Sequence, residues 1–192
     1  MAAVPTDYEP FLTASVAASA ALIGLLFVAI TLAPEKVFGE QADAGRQARA
    51  LSAFTALANI FFISFATLIP DIPTGLVVVG VSAASALQTL GLLALLRHWS
   101  AQGVLWRSLV LFAGSLAIYG GELAVGAQLW ANPGGRGSLT GLLELLLGAY
   151  AIGLGRAWEL LGAPRTGVLM RVLARLDRAQ KPAPGKPPEP GG

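Results

Sequence analysis

Long apolar blocks alternate with short polar segments along most of the chain. Each block holds about the 20 residues that an α-helix needs to cross roughly 30 Å of hydrocarbon. Segments rich in proline or glycine, such as "PDIP" and "NPGGRG", separate some of the blocks. The pattern predicts five transmembrane helices, at about residues 11–33, 50–69, 74–96, 108–130 and 139–161. We therefore expect an all-α integral membrane bundle over residues 1–161, because lipid offers no partner for unpaired backbone groups.

Composition supports a membrane protein and argues against an enzyme. Hydrophobic residues make up 55% of the chain and charged residues only 12%, against about 25% charged residues in soluble domains. The chain has no cysteine and a single histidine, His98, so neither thiolate chemistry nor a multi-histidine metal site is available. The sequence contains no metalloprotease, nucleophile-elbow, P-loop or dinucleotide-binding motif. We predict no catalytic residue, no metal and no cofactor.

The distribution of Lys and Arg predicts the orientation. Twelve of the thirteen basic residues fall in segments on one side of the five predicted spans, and only Arg136 falls on the other side. The positive-inside rule then places the N-terminus outside and the C-terminus in the cytoplasm. Because the basic residues follow this rule closely, they give no indication of nucleic-acid binding. The excess of Arg over Lys in an Ala- and Gly-rich chain is typical of a bacterial source, which favours the inner (plasma) membrane.

The C-terminal region is predicted to contain a surface helix and a tail. Over residues 162–180, apolar residues and the basic residues Arg171, Arg175 and Arg178 recur at helical spacing on different faces. Such a basic amphipathic helix is expected to lie on the anionic cytoplasmic leaflet, where each basic residue contributes about 1 kcal/mol. Binding of a partner protein is the alternative for this helix. Residues 181–192 are rich in proline and glycine and are predicted to be disordered.

Polar residues inside the predicted spans recur on particular helix faces. In the fourth span Ser115, Tyr119 and Glu122 line up on one side, and in the second span Asn59 shares a face with other polar residues. The fifth span has a face of small and acidic residues, which comprises Gly141, Glu144, Gly148, Ala151, Gly155 and Glu159. Small residues let helices approach closely and carboxyl groups avoid lipid. This face is therefore predicted to point into the bundle.

Glu122 and Glu144 are the candidate functional residues. Helix rise places both in the outer half of the bundle, on spans joined by a short turn, so they are predicted to lie within reach of each other. Two close carboxyl groups in a low-dielectric interior would share a proton or bind a cation, with Ser115, Tyr119 and Asn59 as supporting polar groups. The alternative is that both are hydrogen-bonding groups that hold helices together.

The first span also carries a resemblance to known proteins. The segment "ASAALIGLLFVAITL", residues 18–32, resembles the opening helix of a group of small, largely uncharacterised bacterial multi-pass inner-membrane proteins. Some of these are labelled modulators of a membrane-anchored protease. The resemblance implies a bacterial inner-membrane protein and carries over no site residue. Together these features predict an interaction or regulatory protein that contacts another membrane protein or a second copy. The alternative is a small proton- or cation-translocating transporter or channel.

Overall fold

The described part of the chain is entirely helical. The computed structural model describes residues 6–32, 34–39, 44–99, 105–133 and 135–160, and no strand occurs among them. The helices are α1 (Glu9–Thr31), α2 (Glu35–Phe38), α3 (Ala44–Leu68), α4 (Thr74–Trp99), α5 (Leu105–Ala131) and α6 (Arg136–Leu160). The predicted surface helix with Arg171, Arg175 and Arg178, and the predicted tail, lie outside the described residues.

The five long helices correspond to the five apolar blocks, with small differences at their ends. Helix α1 begins at Glu9 with a proline in its first turn, a position where the missing N–H costs nothing. Helix α3 begins at Ala44 rather than near residue 50, because the polar segment before the apolar block consists mainly of good helix formers. The apolar block therefore marks the hydrocarbon-compatible part of a helix and not the whole helix.

A tight turn reverses the chain between α3 and α4. Asp71 in this turn has a φ of 62°, a left-handed conformation that aspartate tolerates better than most residues do. The carbonyl oxygen of Pro73 then accepts hydrogen bonds from the N–H groups of Leu76 and Val77 at 2.9 and 3.2 Å. The "PDIP" segment thus ends one helix and starts the next, so α4 returns beside α3.

Helices α3, α4, α5 and α6 form a closed ring in which each helix packs against the next and α6 packs against α3. Helix α1 packs along the outside of α3. Tyr8, which directly precedes α1, and Ser15 within α1 also form contacts with α6. The hydroxyl groups of Tyr8 and Thr140 lie 3.1 Å apart, and the Tyr150 hydroxyl donates to the carbonyl oxygen of Ser15 at 2.7 Å. These contacts position α1 against a core that the other four long helices build.

The start of α4 packs tightly against the end of α5. A Cβ atom added to Gly75 would lie 2.7 Å from the carbonyl oxygen of Gly126 and 2.8 Å from the Cα of Trp130. Both are backbone atoms, which cannot move aside as a flexible side chain can. The absence of a side chain at Gly75 therefore sets the spacing between α4 and α5.

The surface of the bundle is strongly apolar. Large hydrophobic side chains such as Leu32, Leu87 and Trp158 are 81%, 69% and 65% exposed, whereas soluble proteins rarely expose large contiguous apolar areas. Four helical segments in the described part of the chain are long and apolar enough to cross a membrane, namely Glu9–Thr31, Gly45–Leu68, Thr74–Ala94 and Arg136–Leu160. Their length and composition indicate membrane association.

Helix α5, predicted as the fourth span, is not among these four segments of the described residues. It is 27 residues long and therefore as long as the others. Five spans and the predicted orientation therefore stay predictions.

The prediction for α6 was wrong about which face is inside. The residues that α6 buries are Leu139, Leu142, Leu146, Ala149, Gly153 and Arg156. Glu144, Ala151, Gly155 and Glu159 are exposed, and Gly141 and Gly148 are only partly buried. Leucines fill the interior because they supply more contact area to the ring than small residues do. The small and acidic residues therefore form an outer face of this chain, called the outer α6 face below.

Candidate functional site

The candidate site is built around Glu122, on the inner face of α5. The side chain is completely buried, with 0% exposure. Its oxygen Oε2 accepts a hydrogen bond from Nδ2 of Asn59 at 2.9 Å and another from the hydroxyl of Ser82 at 2.8 Å. A buried carboxyl group is costly unless hydrogen bonds compensate the loss of water. Two donors from two other helices provide that compensation for one of its oxygens.

Asn59 links the three helices that surround the carboxyl group. Its Nδ2 also donates to the hydroxyl of Ser85 at 3.2 Å, so the two N–H bonds of one amide reach α4 and α5 at once. Asn59, Ser82 and Ser85 are 1%, 0% and 6% exposed. We call Glu122, Asn59, Ser82 and Ser85 the carboxyl cluster. Asn59 was a predicted supporting residue, whereas Ser82 was recognised only as part of a polar face on α4.

Two acceptor atoms of the carboxyl cluster receive no hydrogen bond from the described residues. Oε1 of Glu122 and Oδ1 of Asn59 are both buried and have no hydrogen-bond partner in the part of the chain that the structure describes. An unpaired buried acceptor is expensive. A proton on the carboxyl group would turn one such oxygen into a donor. The cluster therefore has the chemistry of a proton-holding group.

On one side of Glu122 the core is mainly apolar apart from Ser64 and Thr67, whereas the other side contains more buried polar side chains. Toward the α3–α4 and α5–α6 turns the ring is filled by large apolar side chains, namely Ile63, Val78, Leu129, Leu139, Leu142 and Leu146. Toward the opposite end lie the buried polar side chains Ser52, Thr55, Thr89, Ser115, Tyr119 and Arg156. Tyr119 interacts electrostatically with both Glu122 and Arg156. The predicted supporting residues Ser115 and Tyr119 thus lie in the polar half of the core.

Glu144 does not belong to the carboxyl cluster. The two acids were predicted to lie within reach of each other, but Glu144 is exposed on the outer α6 face while Glu122 is completely buried. Gly121 on α5 lies beside Leu145 on α6, so the two acids are at similar levels along the bundle, but helix rise carries no information on helix rotation. The pairing of Glu122 with Glu144 was therefore wrong, and Asn59 and Ser82 take that place.

The sequence interpretation also missed a buried charge. Arg156 was assigned to the cytoplasmic boundary, yet it is 2% exposed and its guanidinium carbon lies 4.7 Å from the centroid of the Phe112 ring. A guanidinium stacked on an aromatic face gains a cation–π attraction. The signal that could have found it is spacing, because Arg156 continues the helical series of buried residues from Leu142 through Ala149.

Neither metal ligation nor similarity to known proteins assigns an activity to this site. Among the described residues, no three or more His, Asp or Glu side chains come together in a way that could hold a metal ion. No family model, no curated protein and no solved structure matches the chain. The resemblance of residues 18–32 to small bacterial membrane proteins stays a prediction, and the function has to be argued from the geometry.

Proposed function

We propose that the chain is a five-span integral protein of the bacterial inner membrane that acts by binding another membrane protein or a second copy of itself. Its N-terminus is outside and its C-terminus is cytoplasmic. The five-span arrangement is supported by the closed ring, since α5 packs between α4 and α6 and turns its acid inward. A reporter fusion tests the orientation. A fluorescent protein after Gly192 should fluoresce, while a periplasmic phosphatase at that position should be inactive.

The single observation that carries the interaction function is the exposure of Glu144. This residue lies on the outer α6 face, eight residues after the start of the helix at Arg136, which corresponds to a depth of about 12 Å. An ionisable side chain that faces lipid costs about 2.5–3.5 kcal/mol at the centre of a membrane helix, and Glu144 lies part of the way to that centre. A helix from a partner that covers Glu144 and offers a donor removes this cost. The neighbouring small residues allow that helix to approach closely.

Site-specific crosslinking tests this interaction. A photo-crosslinking side chain introduced at Leu147, which is 55% exposed on α6, should give a discrete protein adduct in native membranes. The matched control is Leu87, which is 69% exposed on α4 and lies away from the outer α6 face. We expect Glu144→Gln to reduce the Leu147 adduct several-fold. Adducts with lipid alone at both positions would exclude the interaction.

The carboxyl cluster supports a second function, proton translocation. The observation in its favour is the buried Oε1 of Glu122, which has no partner within the described residues. A proton there could be exchanged through the polar half of the core, whereas the mainly apolar half contains fewer polar groups, among them the buried hydroxyls of Ser64 and Thr67. Purified protein in liposomes loaded with a pH-sensitive dye tests it. Proton flux that Glu122→Gln abolishes and Glu144→Gln leaves unchanged would favour translocation over the interaction function.

A further inference from the structure

Arg156 presents an unused hydrogen-bonding edge inside the protein. Its Nε and Nη2 atoms are buried and have no hydrogen-bond partner in the described part of the chain. These two atoms lie on the same edge of the planar guanidinium, and their N–H bonds point in the same direction. This is the edge that binds two oxygens of one carboxylate or phosphate side by side. The unpaired donors therefore have the geometry of an oxyanion-binding group.

The surroundings of Arg156 fix this edge in place. The guanidinium lies over the Phe112 ring with 4.7 Å between its carbon and the ring centroid, so one flat side is occupied and rotation of the group is restricted. Arg156 also interacts electrostatically with Glu159 on its own helix, with Tyr119 on α5 and with Arg49 on α3. Glu159 has a larger electrostatic effect on Arg156 than Arg49 does, but it is exposed and does not occupy the buried edge formed by Nε and Nη2. That edge thus stays open to an anion.

The position of Arg156 along the helix suggests where the anion comes from. Arg156 lies four residues before the end of α6 at Leu160, which is about 6 Å along the helix axis. In a membrane-spanning α6 this is just below the level of the lipid phosphates. Phosphate groups of lipids and free phosphate in the aqueous phase are both present at such a boundary.

We propose that Arg156 forms a binding site for a phosphate group at this end of the bundle. Nε and Nη2 of Arg156 each donate to a different phosphate oxygen, and the Phe112 ring supports the guanidinium from one side. The site is separate from the carboxyl cluster, since Tyr119 and Ser115 lie between Glu122 and Phe112 along α5. The inference therefore does not depend on the interaction or the translocation function.

Thermal unfolding of the full chain tests the phosphate site. The protein is purified in a non-ionic detergent free of phospholipid, and inorganic phosphate or short-chain phosphatidylglycerol is titrated at constant ionic strength. We expect one of them to raise Tm by about 3–6 °C, since a ligand that binds only the folded state stabilises it. A response to inorganic phosphate identifies free phosphate as the ligand. A response to phosphatidylglycerol alone identifies the lipid headgroup.

Substitutions of arginine separate this site from a general effect of anions. Arg156→Lys keeps the charge but has no two-donor edge, so the apparent Kd should rise about tenfold or more. The matched control is Arg136→Lys, at the exposed other end of the same helix, which should respond like the wild type. If the wild type responds to neither ligand, or if Arg156→Lys responds as strongly as the wild type, the proposed site is excluded.

Discussion

Glu122 and Glu144 are carboxyl groups on neighbouring helices, and their environments are opposite. Glu122 is completely buried, and donors from α3 and α4 satisfy one of its oxygens. Glu144 is exposed on a helix that buries three leucines, Ala149, Gly153 and Arg156 instead. The difference shows that a ring of membrane helices keeps an acid inside where other helices supply hydrogen bonds to it. An acid without such donors is left outside, and in the proposed interaction a partner supplies them.

The largest expected effect comes from removing the buried acceptor. Glu122→Leu leaves the donors of Asn59 and Ser82 buried without their carboxyl partner, so the free energy of unfolding should fall by about 3 kcal/mol. Glu122→Gln keeps an oxygen acceptor of the same size and should lose about 1 kcal/mol or less. Unfolding by SDS titration in mixed micelles measures both variants. Equal stability of the wild type and Glu122→Leu would show that the carboxyl cluster does not stabilise the ring.

The second effect concerns the spacing between α4 and α5, the helices that carry Ser82 and Glu122. Gly75→Ala forces a methyl group against the backbone of α5 and should lower the free energy of unfolding by about 2 kcal/mol. On the same helix, a Cβ at Gly80 meets nothing within 4 Å, so Gly80→Ala should be neutral or stabilising. Thermal unfolding in detergent compares the two. A similar loss in both variants would mean that the α4–α5 approach is not tight.

A smaller effect is expected from a single donor of the carboxyl cluster. Ser82→Ala removes one hydrogen bond to Glu122, and hydrogen bonds between membrane helices contribute about 0.6–1.7 kcal/mol. A loss of about 1 kcal/mol in the free energy of unfolding is therefore expected. Gln88→Ala is the control, because Gln88 is an exposed polar residue on the same helix. The interpretation fails if the control loses as much stability as Ser82→Ala.

The smallest effect on the isolated chain is expected at the exposed acid. Glu144→Gln changes a side chain on the outer α6 face, so the free energy of unfolding of the monomer in detergent should change by less than about 0.5 kcal/mol. The same variant should weaken crosslinking at Leu147, so stability and association respond separately. A large loss of monomer stability would place Glu144 in the internal packing and contradict its exposure.

The helices and one polar face were predictable from the sequence. The length of an apolar block and the spacing of its polar residues can both be read from one continuous segment of the chain. Ser115, Tyr119 and Glu122 were predicted to share a face of α5, and all three are buried. The rotation of α6 was not predictable. Its leucine series and its series of small and acidic residues both recur at spacings of three and four, and lipid is as apolar as the leucines, so hydrophobicity does not decide which series faces inward. Asn59 was predicted as a supporting residue, but Ser82 was not named as a partner of Glu122, because such partners depend on contacts between residues distant in the sequence.

The hydrogen bond between Asn59 and Glu122 has a consequence for biosynthesis. The two residues are separated by 63 positions, so at a translation rate of about 5–20 residues per second Asn59 is made about 3–13 s before its partner. During this interval the Asn59 amide can reach Ser85 on α4, but the carboxyl group that α5 supplies is still missing. The ring can close only after α5 has emerged from the ribosome. A nascent chain halted between α4 and α5 would therefore hold Asn59 without its carboxyl partner.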